Sequence, residues 1–270
     1  MTQLPTALSV RESGTGTPLV LLHAFPLNAS MWSAQLDALP GLTGTDARVL
    51  APDQRGFGGT ELGDDEPSLD LVADDVALLL DAAGIERAVV AGISMGGYVA
   101  LALARRHPDR LAGLLLANTR ATADTDAARA NRERIAAAVT ARDSVQLLLD
   151  ERVAANQLGP DSQHLVERVQ ALVAAAPPAA VAWAQRAMAA RPDALDVLAG
   201  LRVPVAVVAG ALDALVAPEE AELMVAARPD AELTVIPGVG HLSALEAPEA
   251  FDDAVRSLLA QVAGTAGAAG

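Results

Sequence analysis

The feature that most constrains this chain is an alternation of short, continuously apolar runs with longer segments of helical periodicity. Short runs rich in β-branched residues or leucine, each of strand length, occupy residues 17–22, 48–51, 88–93, 111–117, 203–209 and 232–236. Continuous apolar runs, unlike runs that alternate with polar residues, are typical of strands buried on both faces. The pattern therefore predicts an α/β fold in which helices flank a mostly parallel sheet.

Helical patterns lie between these runs. Segments 69–83, 95–106 and 251–262 are predicted helices that flank the sheet. Residues 120–191 contain no convincing strand and are read as four helices, at 124–140, 143–156, 162–175 and 178–190, with proline near the breaks. We therefore expect a core formed by residues 1–119 and 197–263, an inserted all-helical cap at 120–196, and a flexible tail at 264–270.

Composition excludes several classes of protein. A chain of 270 residues can bury a core without disulfides, and the absence of cysteine excludes a thiol nucleophile and cysteine-based metal sites. The net charge of −15, with all 19 basic residues arginine, disfavours nucleic acid and anionic membranes as partners. Residues 1–14 lack the pattern of a secretory signal, and no apolar run is long enough to span a bilayer, so we expect a cytoplasmic protein.

One junction between a strand and a helix carries a nucleophile motif. Residues 92–97 read GISMGG, which fits G-x-S-x-G directly after an apolar run and directly before a helical segment. Side chains at the glycine positions would collide with the neighbouring strand and helix. The sharp turn raises the hydroxyl of Ser94 above the sheet edge, next to the first N–H groups of the helix. We predict that Ser94 is a nucleophile.

Two further residues follow predicted strands and fit a catalytic triad. His241 comes after the last run, where it can act on Ser94 as general base and then as general acid. Asp213 follows the run 203–209, where a carboxylate can fix the tautomer of the histidine. The chain order serine, aspartate, histidine is the one expected for this nucleophile turn. The main rival position for the acid carries Asn118.

The loop after the first apolar run supplies candidate donors for an oxyanion. We predict that the N–H groups of Phe25 and Met95 form the oxyanion hole. Several other polar residues are interpreted as structural or exposed rather than catalytic: His23, Asp53, Arg55, His107 and His164.

These motifs resemble those of the α/β-hydrolase superfamily. The likeness covers nearly the whole chain, in the expected order, through LLHAFP, PDQRGFGGT, AGISMGGYVALALARRHPDRL, RAMAARPD, VPVAVVAGALDALVAP and IPGVGHLSALEAPEAF. The chain is most similar to small cap-bearing serine hydrolases, namely 3-oxoadipate enol-lactonases, carboxylesterases and cofactor-free haloperoxidases. The resemblance implies Ser94 as nucleophile, Asp213 as acid, His241 as base, and Phe25 and Met95 as oxyanion donors, with no metal or cofactor.

The sequence departs from the family pattern at one position and excludes some family members. Ala24 stands where the family usually has glycine after the histidine. Haloalkane dehalogenases and epoxide hydrolases of this fold use an aspartate nucleophile, whereas position 94 is serine. The HGGG loop of enzymes similar to hormone-sensitive lipase is absent.

Three functions remain open at this point. The preferred one is hydrolysis of a small ester or lactone through an acyl-enzyme on Ser94. In the second, peroxide replaces water in deacylation, as in a perhydrolase or haloperoxidase. In the third, the scaffold is a ligand-sensing module with little turnover. The substrate is expected to be a small molecule, and its identity is set by the cap and the pocket.

The pocket is the least constrained part of the prediction. Five side chains are candidate walls, although each of them taken singly is more typical of the core than of a pocket: Trp32, Trp183, Met188, Leu215 and Val216. The arginines at 129, 132 and 134 could attract an acidic substrate. Their close spacing on a predicted helix is more typical of a solvated face, and we favour that interpretation.

Overall fold

A seven-stranded sheet forms the centre of the computed structural model, which describes residues 6–41 and 46–268. Residues 1–5, part of the segment examined for a secretory signal, lie outside this range. The strands are β1 (Val10–Ser13), β2 (Thr17–Leu22), β3 (Ala47–Pro52), β4 (Ala88–Ile93), β5 (Leu111–Ala117), β6 (Val205–Gly210) and β7 (Glu232–Ile236). They lie in the order β1-β3-β2-β4-β5-β6-β7, with β1 antiparallel to β3 and the other pairs parallel. The predicted α/β fold is confirmed.

Burial of the strands follows their composition. Every residue of β4 is buried, and so are most residues of β2, β5 and β6, because helices cover these central strands. β1 was not among the predicted strands. Its sequence, VRES, is short and polar, and two of its four residues are exposed at the edge of the sheet.

Helices connect the strands and cover the sheet. Those outside the insertion are α1 (Ser33–Ala38), α2 (Leu69–Ala82), α3 (Met95–Arg106), α10 (Pro218–Ala227), α11 (Ser243–Glu246) and α12 (Pro248–Ala268). The side chain of Ser68 caps α2 by accepting a hydrogen bond from the N–H of Asp70. α2 packs against α3, whereas α12 packs against α1, β5 and β6.

The segment between β5 and β6 is helical in its regular elements. It contains α4 (Asp126–Arg142), α5 (Gln146–Asp150), α6 (Val153–Asn156), α7 (Val166–Ala174), α8 (Pro178–Ala190) and α9 (Leu195–Gly200). The helix predicted at 143–156 is divided in two, because Arg152 adopts a positive φ between α5 and α6. The helix predicted at 162–175 begins as a 3-10 turn, Pro160–Leu165. The division into core and cap at residues 119 and 196 stays a prediction.

The last helix is longer than expected. α12 continues to Ala268 and includes residues 264–268 of the predicted tail, whereas residues 269–270 of that tail lie outside the described ranges. In residues 6–41 and 46–268, no single helix has the length and apolarity needed to cross a membrane. One pair of helical segments joined at a bend, Pro160–Ala174 and Pro178–Ala190, together meets the criteria for a membrane span, by length and composition only.

Candidate active site

Ser94 occupies the junction between β4 and α3. Its backbone has φ 54° and ψ −115°, a strained conformation for a residue other than glycine. Its N–H donates to the carbonyl of Ala117 on β5 at 3.0 Å, and the hydroxyl of Thr119 donates to its carbonyl at 2.8 Å. The neighbouring strand and the loop after it therefore hold this turn in place at the carboxyl end of the sheet.

Close packing explains the glycines around Ser94. A Cβ on Gly92 would meet the backbone of Gly96, and a Cβ on Gly96 would meet the main-chain carbonyl of Leu22 in β2. A Cβ on Gly97 would lie 2.5 Å from the side chain of Thr119. The collisions expected from the motif are thus confirmed, and two of them involve backbone atoms rather than the end of a flexible side chain.

A continuous chain of hydrogen bonds joins Ser94 to His241 and Asp213. The hydroxyl of Ser94 lies 2.8 Å from Nε2 of His241, and Nδ1–H of His241 donates to the Asp213 carboxylate at 2.8 and 3.0 Å. Both the imidazole and the carboxylate are almost fully buried. Because an ionised carboxylate only accepts hydrogen bonds, it fixes the proton on Nδ1 and leaves Nε2 free to accept the serine proton.

The surroundings of Asp213 favour its ionised form. Burial alone would raise the pKa of this carboxyl group, but the hydrogen bond and charge of His241, the amide of Asn118 and the N–H of Leu215 outweigh burial and lower it. Asn118 donates from Nδ2 to Asp213 at 3.1 Å and to the carbonyl of Gly240 at 3.0 Å. The residue at the rival acid position therefore supports the aspartate and the loop that precedes His241.

Two main-chain N–H groups near Ser94 have no hydrogen-bond acceptor. Met95 is the first residue of α3, and Phe25 lies in the loop after β2. Within the described part of the chain, neither N–H is engaged in a hydrogen bond. The side-chain amide of Gln157 donates to the main-chain carbonyl of Phe25 at 3.1 Å. The main-chain carbonyl of Gln157 accepts the N–H of His241 at 2.8 Å. Gln157 thus ties the Phe25 loop to the histidine loop.

His23 has a structural position. Nδ1–H donates to the carbonyl of Ala24 at 3.0 Å, and Nε2 accepts the N–H of Gln54 at 2.9 Å. Burial lowers its pKa to about 4, although the Ala24 carbonyl and the charge of Asp53 act in the opposite direction. The ring is therefore neutral, and it fixes the loop that carries Phe25 against the loop after β3.

The other polar candidates also have partners away from Ser94. Asp53 accepts the N–H groups of Ala29 and Gly59 at 2.8 and 2.9 Å and so caps two turns. Arg55 forms a buried ion pair with Asp75 at 2.7 Å. His107 contacts Asp74 near the surface at 2.7 Å, and His164 is exposed.

Ser94 and His241 open into a cavity of about 270 Å³ between the sheet and the helical segment. Its lining comes from the loops after β2, β5, β6 and β7, from α3 and the turn before it, and from α4, α6 and α8 or their ends. The lining residues are Phe25, Ser94, Tyr98, Arg120, Ala128, Asn131, Arg132, Ile135, Gln157, Gln185, Met188, Leu215, Val216 and His241.

Three of the five predicted pocket walls line this cavity, namely Met188, Leu215 and Val216. Trp32 and Trp183, the other two, are not among its lining residues. Trp32 is fully buried and packs against Phe251 of α12, with ring centroids 5.6 Å apart. Trp183 faces away from the site and donates from Nε1 to the carbonyl of Asp65 at 2.8 Å. Each indole belongs to the packing of another part of the core.

The arginines of α4 divide between the surface and the cavity. Arg129 and Arg134 form exposed ion pairs with Asp126 and Glu151, as expected of a solvated face. Arg132 differs, because it lines the cavity and its side chain is only 19 % exposed. Tyr98, Arg120 and Gln157 were not among the predicted site residues. The sequence carried no signal for them, because the rotation of α3 decides where Tyr98 points, and the paths of the segments after β5 and α6 decide where Arg120 and Gln157 lie.

No group of three or more histidine, aspartate and glutamate side chains in the described ranges is arranged to hold a metal ion.

Comparison with known proteins finds a matching family model and several relatives. The model of the alpha/beta hydrolase family matches residues 19–254. The chain is 32% identical to a pimeloyl-[acyl-carrier protein] methyl ester esterase from Aeromonas hydrophila, over 91% of this chain and 96% of that protein. It is 30% identical to 3-oxoadipate enol-lactonase 1 from Acinetobacter baylyi, over 90% of each. Two other relatives, 38% and 34% identical, align over only 38% of their own length.

A solved structure extends the likeness to three dimensions. A thermophilic esterase from Thermogutta terrifontis, with malate bound, superposes with a TM-score of 0.89 at 38% identity, over 94% of this chain and 93% of that chain. The family match spans most of the sequence and agrees with the sheet order and the nucleophile turn. The chain therefore belongs to the alpha/beta hydrolase family.

Proposed function

We propose that this protein is a serine hydrolase that cleaves small esters or lactones through an acyl-enzyme on Ser94. The observation that carries the proposal is the hydrogen-bond chain from Ser94 through His241 to Asp213, which ends at a cavity. Nucleophile, base and orienting acid stand within hydrogen-bond reach of one another, as covalent catalysis requires.

In acylation, Oγ of Ser94 attacks the carbonyl carbon while Nε2 of His241 takes its proton. The carbonyl π electrons move to oxygen, and the N–H groups of Phe25 and Met95 stabilise the resulting oxyanion. The tetrahedral intermediate collapses, the bond to the leaving oxygen breaks, and His241 gives its proton to that oxygen. An ester releases an alcohol, whereas a lactone retains the alcohol on the acyl chain.

Deacylation repeats these steps with water in place of serine. His241 removes a proton from water, the hydroxide attacks the acyl carbon, and the proton on Nε2 returns to Oγ of Ser94 as the acid leaves. Asp213 remains ionised throughout and stabilises the imidazolium that forms twice in each turnover. Its lowered pKa supports this role.

The size of the cavity supports a small substrate. Its 270 Å³ lies just below the range of about 300–1,000 Å³ for pockets that hold drug-sized ligands. The relatives named an esterase and an enol-lactonase support ester and lactone bonds as substrates. Cleavage of an ester and cleavage of a lactone pass through the same kind of tetrahedral oxyanion, so the same catalytic groups can act on both.

The proposal is tested with p-nitrophenyl esters from acetyl to octanoyl and with lactones in a pH-indicator assay. We expect turnover by the wild type, an optimum at short acyl chains, and a loss of at least about 10³-fold in kcat for Ser94→Ala. Ser257→Ala, on the exposed side of α12, is the matched control and keeps wild-type activity. Equal turnover by wild type and Ser94→Ala would overturn the proposal.

A further inference from the structure

The charged residues that line the cavity are positive and have no carboxylate among them. Among its lining residues, Arg120 and Arg132 are cationic and none is a carboxylate. The Asp213 carboxylate lies behind His241 and is already engaged by it. Although the protein has a net charge of −15, guanidinium groups without a matching carboxylate line this cavity in the described part of the chain, and they favour an anionic ligand.

Arg132 is only partly neutralised by its carboxylate partner. Its Nε contacts Asp124, which is buried and also forms an ion pair with Arg191 at 2.7 Å. One carboxylate therefore serves two guanidinium groups. The remaining contacts of Arg132 are neutral, to Oε1 of Gln185 at 3.1 Å and to the sulfur of Met188 at 3.4 Å. The pair of arginines and Asp124 leaves one net positive charge beside the cavity.

Arg120 is held by the backbone more than by a counter-charge. It donates to the carbonyl of Leu215 at 2.7 Å, whereas the nearest carboxylate oxygen, on Glu220, is 3.9 Å away. Glu220 also accepts the hydroxyl of Thr122 at 2.8 Å. The buried Nε of Arg120 has no hydrogen-bond partner among the described residues. A buried donor left unsatisfied in this way costs free energy, and the Arg120 guanidinium is therefore incompletely paired.

From these contacts we infer that Arg120 and Arg132 form a carboxylate-binding subsite, and that the natural substrate is an ester or lactone that carries a second, free carboxylate. The inference rests on the proposed function, because it names the substrate class of that same site. A guanidinium presents paired N–H donors that match the two oxygens of a carboxylate. Partial burial strengthens this interaction relative to the same pair in water.

The test compares two substrates that differ only in charge. Monomethyl glutarate carries the free carboxylate, and its neutral analogue has an acetyl group in place of that carboxylate. Methanol release gives kcat/KM for each. We expect the wild type to prefer the acid by about tenfold or more, the typical worth of one charge-assisted hydrogen bond. The preference should fall as salt is added.

Three variants separate the subsite from general effects. Arg120→Gln and Arg132→Gln are each expected to lower kcat/KM for the acid more than for the neutral ester, so that the preference for the acid falls by about tenfold. In the variant Arg132→Gln, Asp124 still forms its buried ion pair with Arg191. Arg134→Gln is the matched control, since Arg134 stands on the same helix but pairs with Glu151 at the surface.

A binding measurement provides a second readout. Glutarate should bind to Ser94→Ala in calorimetry, and binding should weaken about tenfold when Arg120→Gln is added. Equal kcat/KM of the wild type for acid and neutral ester would overturn the inference and leave the proposed function intact. So would an equal loss on both substrates in both arginine variants. Failure of the proposed function has a different signature, namely neutral-ester hydrolysis that persists in Ser94→Ala.

Discussion

The carboxylate of Glu246 holds the main chain on both sides of His241. It accepts the N–H of Gly240 at 3.0 Å and the N–H of Leu242 at 2.9 Å. The same carboxylate accepts the N–H of Gly159 at 2.7 Å, so it also attaches the helical segment to the histidine loop. The hydrogen bonds of Glu246 go to main-chain groups around His241, so we expect it to act as a positioning residue for the imidazole.

Removal of this carboxylate should affect turnover more than binding. We expect Glu246→Ala to lower kcat by about 10- to 100-fold, because a displacement of the base by about 1 Å is enough for such a loss. KM should change less. Glu246→Gln keeps one acceptor oxygen and should recover part of kcat. Glu249→Ala, an exposed glutamate of α12, is the control. Wild-type kcat in Glu246→Ala would remove the positioning role.

The glycines of the chain differ in what a side chain would meet. Gly96→Ala would force its methyl group into the Leu22 carbonyl in the central sheet. We expect a loss of about 3 kcal/mol in the free energy of unfolding, together with loss of activity. Gly200→Ala has no atom within 4 Å of its new Cβ and should be neutral or stabilising by up to about 1 kcal/mol. Urea unfolding of both variants measures the difference, and equal stability would contradict the packing argument.

Tyr98 stands between the active-site cavity and a smaller cavity of about 90 Å³. Its ring also supports the guanidinium of Arg191, 3.9 Å from the centroid. We expect Tyr98→Leu to join the two spaces and to move the optimum of the p-nitrophenyl ester series toward longer acyl chains. Leu101→Ala enlarges only the smaller cavity and should leave the optimum unchanged. An unchanged optimum in Tyr98→Leu would show that Tyr98 does not limit acyl length.

Asp252 gives a prediction about stability and pH. Burial raises the pKa of this carboxyl group to about 6, although the hydrogen bond from Gln35 and the charge of Arg256 lower it. A raised pKa in the folded state means that its contribution to stability is complete below the unfolded-state pKa and is lost as pH rises through about 6.

Replacement of Asp252 by asparagine should therefore stabilise the protein at neutral pH. The neutral amide can still accept from Gln35, so we expect Asp252→Asn to gain about 2 kcal/mol in unfolding free energy at pH 7. The gain should shrink toward zero near pH 4. The difference between variant and wild type cancels the opposite contribution of His23, whose neutral ring must gain a proton in acid. A gain independent of pH would refute the assignment.

The sequence predicted those parts of the molecule that local patterns determine. The nucleophile turn, the order of Ser94, Asp213 and His241, and the central strands follow from apolar runs and from motifs at their ends. These residues meet because parallel strands bring their carboxyl ends to one edge of the sheet. The short antiparallel strand β1 was missed because its sequence, VRES, carries no apolar run.

Side chains whose direction depends on packing were harder to predict. Arg132 and Arg134 are separated by one residue on α4, yet the first lines the cavity and the second lies at the surface. The packing of α4 against α8 determines which of the two arginines faces the cavity, and residue spacing in the sequence does not predict it. Trp32 and Trp183 are large apolar residues of the kind expected in pocket walls. In the structure, Trp32 packs against Phe251 and Trp183 bonds to the loop that contains Asp65.

The central claim is that Oγ of Ser94 becomes covalently acylated, and the most direct test is to trap that intermediate. Wild type and Ser94→Ala are mixed with a p-nitrophenyl ester, quenched in acid during the first turnover, and digested for mass spectrometry. The account predicts the mass of the acyl group on the peptide that contains Ser94 in the wild type, and no acylated peptide in Ser94→Ala. An acyl group on another residue, or hydrolysis at the wild-type rate by Ser94→Ala, would contradict it.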